Sequence, residues 1–300
     1  MKSMQEQSTI VCNDNEDSTE SFVLIDGIRW VPDWGLKSLQ FALSYQARPD
    51  DLFIVTYPRT GTTWMQNIVY NILTNGQAFN ENRNHFFEQN PHLEIDGATG
   101  LEIMQRPCAI KTHLPIDRVP YHPLAKYICV IRNPKDVCVS YYIFYNTWGD
   151  VPKLEFDEFF KYFIEGRLPF NDYFEVLRAA WQRRNANNVL LVSYEEMQTD
   201  FTSIITKVAH FLNVTLTDEL LQQIMQYSSF DYMKDKYDAE RRLFEASIID
   251  SIEDIVRKGE INDWKSFMTS EQSQQIHQRF LEICKECEGL ENYWSKWNIF

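Results

Sequence analysis

Four short stretches of the chain are almost entirely apolar, β-branched or aromatic, and they lack the polar alternation of a half-exposed strand. They are DLFIVTYP, PCAIKTH, KYICVIRNP and NVLLVSYEE. Such runs are typical of strands that are buried on both faces of a parallel sheet. Helical spacing of apolar residues follows three of them, at 62–74, 134–147 and 201–213. The pattern therefore predicts an α/β fold in which helices flank a central parallel sheet.

Further elements are predicted outside the sheet. The segment ESFVLIDGIRWVP predicts a short hairpin that turns at Asp26 and Gly27, and both LKSLQFALSYQ and EQSQQIHQRFLEICKECEGL have helical spacing. Residues 228–260 are less regular, and a loop of that length in a compact domain is more often functional than idle. Because the composition shows no sharp break, we expect a single domain over residues 1–300 that begins with a disordered tail at 1–20.

Composition limits the partners and the compartment. With 44% apolar residues and a formal net charge of −14, the chain can bury a sizeable core but would repel nucleic acid and anionic membranes. We find no apolar signal region and no stretch long enough to span a membrane. The six cysteines are scattered, and the pair Cys284 and Cys287 is interpreted as part of a helix rather than as a zinc or redox site. We expect a cytoplasmic protein with reduced thiols.

Reactive side chains stand at or just beyond the carboxyl end of each predicted strand. Arg59 follows the first strand, Lys111 and His113 end the second, Arg132 ends the third and Tyr194 ends the fourth. Open parallel α/β sheets bind their ligands outside the carboxyl ends of the strands. The four ends are therefore predicted to converge on one site.

The segment Arg59–Trp64 predicts an anion-binding turn that leads into a helix. Gly61 allows a tight turn, the threonines offer hydroxyls, and the helix presents N–H groups and its positive dipole end. The alternative is an ordinary helix start that is capped by Thr60 or Thr62. The third strand favours the anion site, because Arg132 stands where a P-loop nucleotidase carries a magnesium-binding aspartate. No cluster of carboxylates suggests a metal, so none is expected.

A second cationic cluster predicts a ligand with anions at two separated places. Arg257 and Lys258 precede Gly259, which permits close approach of the backbone to a ligand. Together with Arg132 and Ser140, these residues offer enough positive charge for a phosphate besides the one expected at Arg59–Trp64.

His113 is the candidate base. It lies two positions after Lys111, so the two side chains point to the same side of the strand. A histidine at a strand end is often only structural. Beside an anion site, however, a neutral imidazole can accept a proton from a hydroxyl while a lysine stabilises the developing negative charge.

In its motifs the chain resembles the cytosolic sulfotransferases of the sulfotransferase 1 type, which use 3′-phosphoadenosine 5′-phosphosulfate (PAPS). The resemblance rests on ARPDDLFIVTYPRTGTTW, IKTHLP, IRNPKDVCVSYYIFY, VSYEEM, SSFDYM and RKGEINDWK, which together span nearly the whole chain. It implies transfer of a sulfuryl group to a hydroxyl or amine of a small, largely apolar acceptor such as a phenol, steroid or alcohol. It also implies His113 as general base, with Lys111 and Arg59 stabilising the transition state. The implied donor contacts are Arg59, Thr60, Gly61, Thr62, Thr63 and Trp64 for the 5′-phosphosulfate, Arg132, Ser140, Arg257, Lys258 and Gly259 for the 3′-phosphate, and Trp64, Tyr194, Ser229, Phe230 and Met233 for adenine.

Some positions depart from the family pattern. Arg59 and Thr60 stand where the family usually has lysine and serine. Asn262 replaces the second glycine of RKGxxGDWK, and because asparagine tolerates a left-handed backbone, the turn is expected to survive. By resemblance Phe144 and residues near Pro91 to Ile95 line the acceptor pocket, and His92 stands where an aromatic pocket residue is common.

The dimer signature of the family, KxxxTVxxxE, is incomplete. It is present only as Lys265, Thr269, Ser270 and Gln274, without the valine and the glutamate. We therefore expect that the chain does not form the family-type homodimer.

Two other functions are compatible with this fold class. A nucleotide kinase would share the P-loop-like architecture, but the GxxxxGK loop and the strand-end aspartate are missing, and only a requirement for Mg²⁺ and ATP would favour it. A non-catalytic binder of a small apolar ligand would be expected to have lost the base or the donor site. Both are present here, in His113, Lys111, Arg132, Ser140 and the RKG turn.

Overall fold

A computed structural model describes residues 22–31, 35–76, 89–147, 152–236 and 259–300 of the chain. The strands are β1 (Val23–Ile25), β2 (Ile28–Trp30), β3 (Leu52–Thr56), β4 (Ala109–Thr112), β5 (Lys126–Ile131) and β6 (Val189–Ser193). Strands β3 to β6 form one parallel sheet in the order β4-β3-β5-β6. The four apolar runs are thus confirmed as strands, and so is the α/β fold class.

Helices pack on both faces of this sheet. They are α1 (Leu36–Ser44), α2 (Thr62–Leu73), α3 (Leu93–Ile103), α4 (Pro134–Tyr145), α5 (Phe156–Ile164), α6 (Tyr173–Arg183), α7 (Tyr194–Thr199), α8 (Phe201–Phe211), α9 (Asp218–Tyr227) and α10 (Ser270–Cys284). The predicted helices at 62–74, 134–147 and 201–213 are confirmed and end one or two residues earlier. Residues 230–236, within the stretch predicted to be irregular, are also helical.

Side chains of each strand alternate between two hydrophobic cores. In β3, Phe53 and Val55 belong to a core with α4, α5, α6 and α10, whereas Leu52 and Ile54 belong to a core with α2, α8 and α9. Every residue of β3 is buried as a result. Because both faces of the strand are covered, its sequence is a continuous apolar run rather than an alternating one.

The predicted hairpin is confirmed. β1 and β2 pair antiparallel, with Ile25 opposite Ile28, and the turn residues Asp26 and Gly27 have φ angles of 51° and 77°. Two consecutive left-handed residues form the tight turn that matches the twist of a two-residue hairpin, which favours an Asp-Gly pair.

The prediction that a helix contains both Cys284 and Cys287 is confirmed only for Cys284. Helix α10 ends at Cys284, so Cys287 lies beyond it, buried against the larger core, and both thiols are free. The predicted tail at 1–20 lies outside the described residues. No helix among those that the structure describes is long and apolar enough to cross a membrane.

Candidate active site

A cleft lies at the carboxyl ends of the parallel strands, as predicted. Most of the predicted residues line it, and they are Arg59, Gly61, Thr62, Thr63, Trp64, Lys111, His113, Arg132, Ser140, Phe144, Tyr194, Phe230, Met233 and Gly259. Two residues that the sequence did not suggest, Pro58 and Glu260, complete the wall. Thr60, His92 and Ser229 are not part of it, and the predicted Arg257 and Lys258 lie outside the described residues.

The turn between β3 and α2 has the backbone geometry of an anion site. Arg59 and Gly61 both have positive φ angles, 70° and 109°, and Gly61 is the N-cap residue of α2 without a side-chain cap. Thr60 is instead buried and its hydroxyl donates to the carbonyl of Tyr57 at 2.8 Å. A Cβ at Gly61 would lie 3.1 Å from the ring of Tyr194. Of the two interpretations, the geometry therefore favours the anion-binding turn over a helix capped by Thr60 or Thr62.

Arg59 connects this turn to helix α4. Its Nε donates to Oγ of Ser140 at 3.1 Å, and its guanidinium carbon lies 4.9 Å from the ring centroid of Phe144. The guanidinium therefore stands where the predicted donor side and the predicted acceptor side of the cleft meet.

Arg132 is held firmly at the end of β5. Its Nη1 donates to the carbonyl of Arg59 at 3.1 Å, and the guanidinium lies 4.2 Å from the ring centroid of Tyr194. The backbone of Arg132 exchanges two hydrogen bonds with the hydroxyl of Tyr173. Its Nε is buried and has no hydrogen-bond partner within the part of the chain that the structure describes. A buried, unpaired donor on a cation fits a site for an anionic ligand.

Aromatic rings line the cleft beside Arg132. Trp64 donates its indole N–H to the carbonyl of Ser228 at 2.8 Å, and its ring meets that of Tyr194 edge-on at 5.6 Å. Ser229, which was predicted to contact adenine, uses its hydroxyl to accept from the backbone N–H of Tyr232 at 3.2 Å. In this structure Ser228, rather than Ser229, reaches the tryptophan.

The turn at residues 259–264 packs against Phe230, another aromatic residue of the cleft wall. Gly259 has a φ of 68°, and a Cβ there would lie 2.4 Å from the ring of Phe230, so only glycine fits. Asn262 has φ 71° and ψ 21°, which confirms the prediction that asparagine preserves the left-handed turn. Gln198 donates to both the carbonyl of Gly259 and the hydroxyl of Tyr194.

The carboxylate of Asp136 fastens this turn to helix α4. It accepts from the backbone N–H groups of Asn262 at 2.8 Å and Trp264 at 3.0 Å, and from Nδ2 of Asn133 at 2.7 Å. Sequence reasoning missed this residue. Its only signal is an acidic residue in the first turn of a helix that directly follows Arg132.

The imidazole of His113 has a defined tautomer. Its Nδ1 lies 2.9 Å from the carbonyl oxygen of Thr56, and because a carbonyl can only accept, Nδ1 carries the proton. The Nε2 atom is then the one with the free lone pair. Burial, followed by the charges of Lys111 and His92, lowers the pKa of His113 well below its usual value. The imidazole is therefore neutral near pH 7 and can act as a base.

Lys111 lies beside His113, and its surroundings lower the pKa of its ammonium group. Burial lowers its pKa to about 8, while the carboxylates of Glu94 and Asp96 oppose that shift. The ammonium is thus mostly protonated at neutral pH and loses its proton in the mildly alkaline range.

Glu94 supports the end of β4, a role that the sequence did not predict. Its fully buried carboxylate accepts from the Thr112 hydroxyl at 2.6 Å and from the backbone N–H groups of His113 and Leu114 at 2.7 and 2.9 Å. Burial by itself raises its pKa, but the contact with His92 and the bond from Thr112 outweigh burial and lower it. The carboxylate is therefore ionised and fixes the backbone on both sides of the candidate base.

His92 lies behind the cleft wall. Its Nε2 is 3.2 Å from the carboxylate of Glu94, and its ring meets the ring of His113 edge-on at 4.9 Å. Within the described ranges, no group of three or more His, Cys, Asp or Glu residues could hold a metal ion.

Comparison with known proteins identifies the family. The sulfotransferase domain family matches residues 49–288. Human sulfotransferase 1E1 is 30% identical over 285 residues, which cover 91% of this chain and 97% of that protein, and rabbit sulfotransferase 1C2 is 34% identical over 258 residues, covering 82% and 86%.

Solved structures agree with the sequence comparison. The crystal structure of mouse sulfotransferase SULT7A1 complexed with PAP superposes with a TM-score of 0.74 at 25% identity, covering 90% of this chain and 97% of the mouse chain. Retinol dehydratase, at 21% identity, shares the fold with a TM-score of 0.70 over 89% of this chain and 91% of its own. The chain belongs to the sulfotransferase family.

Proposed function

We propose that this sulfotransferase transfers the sulfuryl group of PAPS to a hydroxyl or amine of a small, largely apolar acceptor and releases adenosine 3′,5′-bisphosphate (PAP). The observation that carries the proposal is the neutral imidazole of His113. Because Nδ1 donates to the carbonyl of Thr56, Nε2 is a hydrogen-bond acceptor. His113 lines the same cleft as Lys111 and Arg59. A base and two cations at one cleft suit a reaction in which a proton leaves an acceptor while negative charge develops on a leaving group.

The cations of the cleft, Arg59 and Arg132, support PAPS as the donor. The turn at Arg59–Trp64 suits the 5′-phosphosulfate, and Arg132 with Ser140 suits the 3′-phosphate, for which the buried Nε of Arg132 offers a donor. Trp64, Tyr194, Phe230 and Met233 offer apolar surface for the adenine ring. Arg257 and Lys258 remain expected phosphate contacts on sequence grounds.

The chain's own side chains account for each step of the transfer. Nε2 of His113 takes the proton of the acceptor hydroxyl, and the acceptor oxygen forms a bond to sulfur in line with the bond that breaks. The electron pair of that breaking bond stays on the bridging phosphate oxygen, where Lys111 and Arg59 supply positive charge. The leaving phosphate oxygen is weakly basic, so it needs charge stabilisation rather than protonation.

The proposed acceptor side of the cleft carries an aromatic residue. Phe144 lines the wall under the guanidinium of Arg59, which supports a planar or apolar acceptor. His92 lies behind the wall, so its effect on the acceptor is proposed to act through His113. A phenol, steroid or other small alcohol fits this chemistry.

A cytoplasmic location and the absence of the family-type homodimer remain proposals from the sequence. One observation supports the absence of this dimer: Thr269, a residue of the dimer signature, is the N-cap residue of α10. Its hydroxyl accepts from the backbone N–H of Gln272 at 3.2 Å, and the side-chain oxygen of Gln272 accepts from the backbone N–H of Thr269 at 3.0 Å. Light scattering that shows a tight dimer, dissociated by substitution of Lys265, would contradict this proposal.

A panel of acceptors tests the proposed function. The purified chain is incubated with [³⁵S]PAPS and phenols, steroids, aliphatic alcohols or amines, and both the labelled product and PAP are quantified. We expect PAP and sulfated product in equal amounts for at least one class. Transfer of phosphate from γ-labelled ATP that requires Mg²⁺ would instead identify a kinase. Tight binding of PAP without turnover of any acceptor would identify a binding protein.

A further inference from the structure

The loop between α5 and α6 contains two consecutive non-glycine residues with a left-handed backbone. Phe170 has a φ of 68° and Asn171 a φ of 63°. Asparagine adopts this conformation readily, but a bulky aromatic residue does so rarely, and such strain persists only where the surroundings hold it. The strain at Phe170 therefore points to a constraint on where its ring must lie.

The β1–β2 hairpin and Tyr57 supply that constraint. The backbone N–H of Phe170 donates to the carbonyl of Arg29 at 3.0 Å, and the backbone N–H of Arg29 donates to Oδ1 of Asn171 at 2.7 Å. The hydroxyl of Tyr57 donates to the carbonyl of Asn171 at 3.2 Å. Tyr57 follows β3 directly and leads into the anion-binding turn, so the strained loop is bonded to the segment that precedes this turn.

The ring of Phe170 contacts the imidazole of His113. Their centroids are 5.1 Å apart at an interplanar angle of 74°, which is the edge-to-face geometry of a favourable aromatic pair. The ring of Phe170 also meets that of Trp30 edge-on at 5.3 Å, and only 3% of Phe170 is exposed. The imidazole of His113 therefore has three neighbours that hold it: the ring of Phe170, the carbonyl of Thr56 and the ring of His92.

We propose that Phe170 is a positioning residue for the base: its strained backbone presses the ring against His113, which fixes the direction of Nε2 and keeps water from the imidazole. The proposal rests on the role of His113 in the proposed function. Phe170 is not among the described residues that line the cleft, and the role assigned to it is towards the imidazole of His113.

Removal of the Phe170 ring has a predictable effect on the base. The charged and titratable groups that face His113 are Lys111 on β4 and His92 and Glu94 at the start of α3, and none of them changes in a Phe170 variant. Burial is the largest cause that lowers the pKa of His113, so admission of water should raise the pKa towards its ordinary value. The imidazole would then also be free to turn about its remaining bond to Thr56.

Phe170→Gly tests the proposal, because glycine accepts the left-handed backbone and removes only the ring. The ¹⁵N-histidine spectrum of the whole chain is titrated, with His113 assigned by its loss in His113→Ala. We expect the pKa of His113 to rise by about one unit or more. The acid limb of the pH profile of kcat/KM should shift to higher pH by the same amount. We expect kcat to fall about tenfold because the base is misaligned. The affinity for PAP should stay within about twofold.

Controls separate a local effect from a general loosening of the fold. Asn213→Gly makes the same change at an exposed left-handed residue that follows α8, and it should leave the pKa, the pH profile and kcat unchanged. If Phe170→Gly does not fold, Phe170→Leu should give a smaller shift in the same direction. An unchanged pKa and pH profile in the folded variants would overturn the proposal. The NMR titration needs no substrate, so it decides the role of Phe170 even if the chain transfers no sulfuryl group.

Discussion

Replacing Asp136 with asparagine is predicted to weaken both the fold and the donor site, although Asp136 does not line the cleft. Its carboxylate is buried at the start of α4, the helix that directly follows Arg132, and it accepts from two backbone N–H groups of the turn at residues 259–264. The side chain thus fixes the distance between two parts of the proposed 3′-phosphate site.

The size of the effect follows from the acceptors that are lost. The N–H of Asn262 donates to Oδ2, whereas that of Trp264 donates to Oδ1. In Asp136→Asn a single oxygen remains, so one of these two donors must face the new amide nitrogen. A buried donor without an acceptor costs about 1–3 kcal/mol, and loss of the ionic character of the remaining bond adds to this, for a total of about 2–4 kcal/mol. We expect the misaligned turn to weaken PAP binding about tenfold, which is about 1.4 kcal/mol.

Urea denaturation and calorimetric titration with PAP measure the two effects. Asp200→Asn is the matched control: Asp200 is an exposed N-cap that accepts from the backbone of Ser203 at 3.4 Å, and asparagine caps a helix as well as aspartate does. The control should change the free energy of unfolding by less than about 0.5 kcal/mol. If Asp136→Asn loses no more stability than the control and binds PAP as the unmodified chain does, Asp136 does not hold the turn.

Three further predictions concern the cations of the cleft. Arg59→Lys should retain substantial activity. Arg59→Ala should slow single-turnover transfer about a hundredfold, a loss of about 3 kcal/mol of transition-state stabilisation. An unchanged chemical step in the alanine variant would show that Arg59 only anchors the donor. PAP should bind more tightly than 5′-AMP by about 2 kcal/mol or more, because 5′-AMP leaves the guanidinium of Arg132 without its anion; equal affinities by calorimetry would show that Arg132 has another use. The ammonium of Lys111, with a pKa of about 8, should give kcat/KM for PAPS an alkaline limb near that pH, as activity falls when the proton leaves. Lys111→Arg should remove this limb because a guanidinium stays protonated, and an identical limb in that variant would assign it to another group.

The sheet and the location of the site were predictable because each depends on local sequence. A strand covered on both faces must be apolar throughout, and the polar residue that ends the run stands at the cleft, as Arg132 and Tyr194 do. The left-handed turn at Asn262 was predictable for a similar reason, since few residues tolerate that backbone. Helix ends were less accurate because the last turn frays and its sequence carries little information.

Residues that support the site from behind were not predictable. Glu94 binds one hydroxyl and two backbone N–H groups 18 to 20 residues later in the chain, and Asp136 binds backbone N–H groups 126 and 128 residues later. Contacts between residues so far apart in the sequence do not follow from a local pattern. Helix α3 was missed because its residues include two glycines, one of them, Gly97, with non-helical angles. The left-handed Phe170 contradicts the ordinary preference of a bulky residue, so only the tertiary structure reveals it.

Transfer of the sulfuryl group in a single turnover tests the central claim, that His113 is the base of a PAPS-dependent transfer. The unmodified chain and His113→Ala are each mixed with saturating [³⁵S]PAPS and the best acceptor of the panel, and the labelled product is followed by rapid quench. We predict that His113→Ala slows this step about a hundredfold or more while its affinity for PAP stays within about threefold. Transfer by His113→Ala at the rate of the unmodified chain would contradict the account.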